Sequence, residues 1–197
     1  MNKYKYFVFE GADGIGKTIL SKNFAERIGA HWTCEPFNFD EETKYLRAKA
    51  LTHSIDPLTR EYFLLANRSW GLPKVLKKLQ KKPLVSDRSF ISGAVFAKME
   101  GHSFQDWEKM AFPIINCVRN FNPTFILCKN KKFKNKDNPD DRYDSKPESF
   151  HVEVEKTFHE AFSYFLTPFI EFWIDFERSP QENLDRLLKE LTCDSST

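Results

Sequence analysis

Phe9-Glu10-Gly11-Ala12-Asp13-Gly14-Ile15-Gly16-Lys17-Thr18 decides the fold. The stretch fits the pattern G-x-x-x-x-G-K-[ST], in which glycines let successive backbone N–H groups turn inward around a phosphate with no Cβ atoms in the way. Tyr4 to Phe9 before it is rich in aromatic and β-branched residues and reads as a buried strand, while Thr18 to Ile28 after it carries apolar residues at helical spacing. In that setting the helix N-terminus adds its partial positive charge, Lys17 reaches the β- and γ-phosphates, and the Thr18 hydroxyl takes a place on Mg²⁺. Gly11, Asp13, Gly14, Ile15, Gly16, Lys17 and Thr18 are the candidate ATP-binding set. The plain alternative is a glycine-rich turn that binds nothing, which would not require the full pattern and its strand and helix to coincide.

A chain of 197 residues, 41% hydrophobic and with 20 Phe, suits a single domain, 1–197, around one well-filled core. No segment approaches the apolar run of a membrane span, and Met1-Asn2-Lys3-Tyr4 runs straight into the first strand, so a cytoplasmic protein without membrane contact is expected. The 30 basic and 28 acidic residues leave a net charge of +2, which supplies no global field for nucleic acid. Cys34, Cys117, Cys128 and Cys193 form no C-x-x-C pair, which argues against a zinc site or a disulfide framework and for reduced packing residues.

Along the rest of the chain, strands alternate with helices. His31-Trp32-Thr33-Cys34 reads as a second strand ending at Glu35-Pro36. Glu35 there either meets a sugar hydroxyl or a metal-bound water, or is a solvated turn residue. Asp40 to Leu51 is predicted helical. Asp56-Pro57 caps a longer helix running to about Gln80, on which Leu58, Tyr62, Leu65 and Arg68 recur at spacings of three or four. Arg68 on that stripe is either a rim residue or a ligand contact.

Pro83 to Asp87 is the third strand. Asp87 at its end is placed to organise Mg²⁺, and Arg88 to grip a phosphate with two parallel hydrogen bonds. Helices over Ser89–Glu100 and Ser103–Val118, a fourth strand at Pro123–Cys128, a helix from Pro147 to about Phe169, a fifth strand at Phe172–Phe176 and a last helix from Ser179-Pro180 complete the series. The alternation predicts an α/β fold, a five-stranded parallel sheet with helices on both faces. Residues 129–146, rich in Lys and Asp, cannot pack a core and read as a short lid over the triphosphate, or as a solvated insertion.

These pieces together resemble thymidylate kinase, in the nucleoside monophosphate kinase group of P-loop kinases. The likeness rests on the E-G-x-D-G-x-G-K-T loop, Glu35-Pro36, Leu65-Ala66-Asn67-Arg68, Asp87-Arg88 with Ser92-Gly93, and Asp141-Arg142-Tyr143-Asp144. It implies that ATP and Mg²⁺ serve a dTMP acceptor, giving dTDP. It also implies that Asp13 faces the acceptor's 3′-hydroxyl, that Arg68 and Arg88 hold its base and phosphate, that Ser92 lines the base pocket and that Phe96 packs under deoxyribose. Arg142 and Tyr143 match the lid. A homodimer is implied likewise.

The chain departs from the pattern at Leu64, where the family usually stacks an aromatic ring on the base, at Cys34, and at Gly14, where some members place a catalytic arginine. Lys17, Arg88, Asp13 and Arg142 are the candidate catalytic residues; Glu35, Leu64, Arg68, Arg88, Ser92, Phe96 and Tyr143 contact the acceptor; Thr18 and Asp87 hold the metal. Two rivals share parts of this reading. A deoxynucleoside kinase would use Glu35 as general base on a 5′-hydroxyl, and a nucleotide-binding switch would transfer no phosphoryl group.

Overall fold

The computed structural model describes residues 5–52, 54–130, 147–166 and 168–193. Among these residues five strands, β1 (Tyr6–Glu10), β2 (His31–Cys34), β3 (Leu84–Asp87), β4 (Thr124–Lys129) and β5 (Ile170–Trp173), form one sheet in the order β2-β3-β1-β4-β5 with every pairing parallel. β1 is buried along its whole length, as its continuous apolar run requires of a central parallel strand. The chain leaves β1 toward β3 and β2 on one side and returns to β4 on the other. The strand order therefore reverses beside β1, and open α/β sheets bind ligands at that point.

Among the described residues seven α-helices cover the sheet: α1 (Lys17–Arg27), α2 (Glu41–Ala50), α3 (Pro57–Leu76, continued by a 3-10 turn at Lys77–Gln80), α4 (Phe90–Met99), α5 (Phe104–Arg119), α6 (Glu148–Phe165) and α7 (Pro180–Cys193). Their starts follow the capping chemistry of the sequence. Asp56 accepts from Thr59 N at 3.0 Å with Pro57 in the first turn, Ser103 accepts from Asp106 N at 3.0 Å, and Ser179 and Glu182 form the reciprocal box at 2.7 and 3.2 Å. The Phe stripe of α6 is core: Phe158 and Phe162 are fully buried and Phe165 nearly so, packed with Phe90, Phe125 and Trp107.

Several predicted boundaries move. α6 ends at Phe165 rather than near Phe169, with Leu166 already extended at φ −137°, because a helix cannot run into Pro168 without losing a backbone donor. β5 then starts two residues early. The loop predicted to begin at 129 begins later, since Lys129 closes β4 and pairs with Glu171 at 2.9 Å; the remainder of it, 131–146, with Arg142 and Tyr143, lies outside the described residues. On α3 the buried face is Glu61, Leu65, Arg68, Leu72 and Val75, whereas Leu58 and Tyr62 are exposed. Cys128 is buried as expected, but Cys34 and Cys117 are only partly so.

Register fixes the level of the site. Phe9 pairs with Asp87 and Asp87 with Cys34, so Glu10, Arg88 and Glu35 all leave the sheet in the same row. Glu35 N still donates to Asp87 O at 2.9 Å and Arg88 N to Phe9 O at 2.8 Å, which extends the ladder by one residue before the loops diverge. No described helix is long and apolar enough to cross a membrane.

Candidate functional site

The phosphate loop joins β1 to α1. Gly11 stands at φ +142°, and a Cβ there would lie 2.4 Å from the backbone O of Cys128, so only glycine lets the loop leave the sheet this close to β4. Gly16 caps α1 in the left-handed region with no side-chain hydrogen bond, and the first turn carries no acid. The unpaired N–H groups of that turn are left for an anion. Around them lies a cavity of about 470 Å³ lined by residues 12–20 of the loop and helix and by Ile174, Asp175, Phe176, Arg178, Pro180 and Asn183. The second wall, from the turn after β5, escaped the sequence reading; its only signal was position at a strand's carboxyl end.

At the end of β3, Asp87 is 4% exposed. Lys17 Nζ stands 3.1 Å from its Oδ1, and the Thr18 hydroxyl donates to its Oδ2 at 2.6 Å. Burial pushes its carboxyl up, but Lys17, Arg88 and the Thr18 hydroxyl outweigh burial and hold it below the usual range, ionised at neutral pH. Oδ1 accepts no aligned hydrogen bond among the described residues. A buried, ionised carboxylate beside a threonine hydroxyl and a phosphate cradle is a hard oxygen donor set, which fits Mg²⁺ held with phosphates and water. No group of three or more His, Cys, Asp or Glu that could by itself hold a metal ion occurs among the described residues.

Arg88 follows with φ +75°, a left-handed backbone uncommon outside glycine. Its carbonyl accepts from Ser86 Oγ at 2.7 Å; its guanidinium donates to Ser92 Oγ at 2.7 Å, pairs with Asp13 of the phosphate loop and lies 5.8 Å from the Phe96 ring centroid. Burial would weaken its protonation, but the carboxylates of Asp13, Glu10 and Asp87 hold the charge on. Asp13, Arg88, Ser92 and Phe96, scattered over 84 positions of sequence, thus meet at one point.

Glu35 and Arg68 are both buried, and Nε of Arg68 donates to Glu35 Oε2 at 2.8 Å. Neither the solvated-turn nor the rim alternative survives. Arg68 Nη2 donates to Ser89 O at 3.2 Å while Nη1 finds no partner among the described residues, a buried donor aimed beside Gly93, where a Cβ would crowd it at 3.1 Å. An unsatisfied buried guanidinium nitrogen is costly unless a ligand completes it. Leu64 is half-buried on α3 one turn before Arg68, as is its neighbour Phe63.

Burial pushes the Glu35 carboxyl up to about 7 against the pull of Arg68. The folded chain therefore keeps this proton up to about pH 7, while an unfolded chain releases it near 4.5, so stability falls as pH rises through that window. Buried Glu10 and Glu61 are raised too and act in the same sense. Glu35→Gln should flatten the decline in melting temperature between pH 5 and pH 7.5; an unchanged slope would contradict the burial argument.

Asn67, also fully buried, ties the site together. Its amide donates to Phe37 O at 2.9 Å and Thr43 O at 2.8 Å and accepts from Phe37 N at 2.7 Å, which binds the Glu35 loop and α2 to the helix that carries Arg68. Asn67→Ala strands the buried N–H and C=O of Phe37, takes a second donor from Thr43 O, and should cost roughly 3 kcal/mol, a fall of roughly 10 °C in melting temperature. A shift under about 2 °C would mean that the loop is held otherwise.

A family model described as thymidylate kinase matches residues 9–183, a span that includes all of this machinery. The chain belongs to the thymidylate kinase family. Among relatives, a probable thymidylate kinase of Methanococcus vannielii is 33% identical over 99 residues, 50% of this chain and 50% of that protein. A thymidylate kinase of Campylobacter jejuni is 38% identical over 99 residues, 47% of this chain and 50% of that one. The chain thus spans about half the length of the curated relatives it matches. The crystal structure of thymidylate kinase from Ehrlichia chaffeensis superposes with a TM-score of 0.72 at 18% identity, covering 96% of this chain and 98% of that one. That of Candida albicans gives 0.67 at 17%, covering 98% and 92%. These two likenesses show the P-loop kinase fold.

Proposed function

We propose that this family member transfers the γ-phosphoryl group of ATP to a deoxynucleoside monophosphate, dTMP, giving dTDP. The observation that supports this most is the pair of arginines, buried Arg68 and half-buried Arg88, held at one sheet edge across from the phosphate loop, with one donor of Arg68 unsatisfied. Two fixed cations facing a triphosphate cradle suit a second phosphate and exceed what a bare hydroxyl acceptor needs.

In this reading Lys17 and the loop amides bind the β- and γ-phosphates of ATP. Thr18 and Asp87 hold Mg²⁺, which when bound neutralises charge on the transferring group. Arg68 and Arg88 fix the acceptor phosphate in line. Once Arg88 turns to that phosphate, the Asp13 carboxylate is left to accept from the sugar's 3′-hydroxyl. Ser92, Phe96 and Leu64 line the base and sugar pocket. No general base is needed, because the attacking oxygen belongs to an ionised phosphate; Glu35 is committed to Arg68, which disfavours the hydroxyl-acceptor alternative. Arg142 and Tyr143, in a lid at about 129–146, enter from their family motif alone. The proposal extends to a single domain over 1–197, a homodimer, and the cytoplasm, where ATP is supplied.

The test is a panel of nucleoside monophosphates and free nucleosides offered with ATP. Transfer to dTMP well above transfer to thymidine is expected; transfer to nucleosides alone, or to nothing while ATP still binds, overturns the reading.

A further inference from the structure

The phosphate loop begins with a carboxylate that none of the binding roles above employs. Glu10, the last residue of β1, is wholly buried. Its Oε1 accepts from Ser89 N at 2.6 Å, Ser89 Oγ at 2.7 Å and Ser92 N at 3.2 Å, and its Oε2 from Ser92 Oγ at 2.6 Å. Two of these donors are backbone N–H groups at the start of α4, so a strand residue 79 positions away serves as that helix's anionic cap.

The same two serines carry the arginines. Ser92 Oγ accepts from Arg88 Nη1 at 2.7 Å, and the carbonyl of Ser89 accepts from Arg68 Nη2 at 3.2 Å. We infer that Glu10 is a positioning residue: by holding Ser89 and Ser92 it sets both Arg68 and Arg88 at the acceptor phosphate. This rests on the proposed role of the two arginines. A serine hydroxyl has one proton; given to Glu10, it leaves the oxygen lone pairs to Arg88. A neutral amide at position 10 would donate into Ser92 instead of accepting from it, which turns the hydroxyl and competes with the guanidinium.

Glu10→Gln, close in volume, is the test. It should raise the KM for dTMP about tenfold, the worth of one charge-assisted hydrogen bond, while the KM for ATP stays within about twofold. Ser89→Ala, at a residue assigned no nucleotide contact, removes one hydroxyl from the Glu10 carboxylate and keeps Glu10 on Ser92; it should raise the dTMP KM alone by a smaller factor, and it carries the test if Glu10→Gln does not fold. A purely structural carboxylate would lower the melting temperature and the active fraction but leave both KM values in place, and that result overturns the inference. Arg88→Ala run alongside separates the two levels. If it too leaves the dTMP KM unmoved, the arginine assignment has failed; if it raises that KM while both other variants do not, only the role of Glu10 has.

Discussion

Arg88→Ala is expected to reduce turnover with dTMP by about 10²–10³-fold or more, the cost of removing one preorganised cation from developing charge, while ATP affinity changes little. The selectivity follows from the geometry. In the proposed reading ATP is held by the loop N–H groups, Lys17 and Thr18, while Arg88 meets the loop only through Asp13 and, at 3.5 Å, Gly11 O, and the acceptor phosphate would depend on the fork that Ser92 and Asp13 aim. Removing the half-buried guanidinium also leaves Asp13 and Glu10 short of a counter-charge, so some stability is lost as well. Arg88→Lys separates the two effects: it keeps the charge but not the two-pronged donor, and should recover stability better than turnover. Near-normal activity in Arg88→Ala, measured as kcat/KM for dTMP, would remove the arginine from the mechanism.

Gly11→Ala is the second large effect, and it falls on the donor side. The added methyl would sit 2.4 Å from the carbonyl oxygen of Cys128 and 2.9 Å from Ile15 Cδ1. The first of these is backbone of a central strand and cannot step aside. The residue must also hold φ +142°, closed to an L side chain at reasonable cost. The phosphate loop has to shift, so ATP binding should fall below detection in a titration that reads the parent easily, with roughly 3 kcal/mol or more of stability lost. Gly101→Ala is the control: φ is +98° there but nothing lies within 4 Å of the new Cβ, so only local backbone strain is added and ATP binding persists. Equal losses in the two variants would mean that conformation, and not the approach to β4, governs the loop.

The donor half of the site was legible because it is local. The phosphate loop, its strand and its helix lie within one short run, and the role proposed for each residue follows from the pattern of its neighbours. Strand and helix order could be read for the same reason, from caps such as Asp56-Pro57 and Ser179-Pro180-Gln181-Glu182 and from short β-rich runs. The acceptor half is built from pairs far apart in sequence, such as Arg68 with Glu35 and Ser92 with Glu10. Family resemblance named most of its members, but their partners emerge only from strand register.

The face of α3 shows why periodicity misleads here. Leu65 belongs to two overlapping spacings, one through Leu58 and Tyr62 and one through Glu61 and Arg68. Apolar identity favours the first, yet the charged residues are the buried ones. Glu61 is satisfied by Trp107 Nε1 at 3.1 Å and Arg68 by Glu35, so burial of charge is made tolerable by partners that spacing cannot reveal. β5 was misplaced for a local reason: Phe172 to Phe176 is apolar enough to read as a strand, but the ladder to β4 ends at Trp173 and the next residues line the donor cavity.

One pocket should bring two phosphorylated nucleotides together, with Arg68 and Arg88 on the second. A crystal structure with dTMP and a non-hydrolysable ATP analogue measures this most directly. The account predicts the dTMP phosphate within hydrogen-bond reach of both guanidinium groups, with Arg88 turned from Asp13 and the γ-phosphate in the glycine loop. A structure with both nucleotides bound, Arg88 still on Asp13 and the dTMP phosphate touching neither arginine would contradict it.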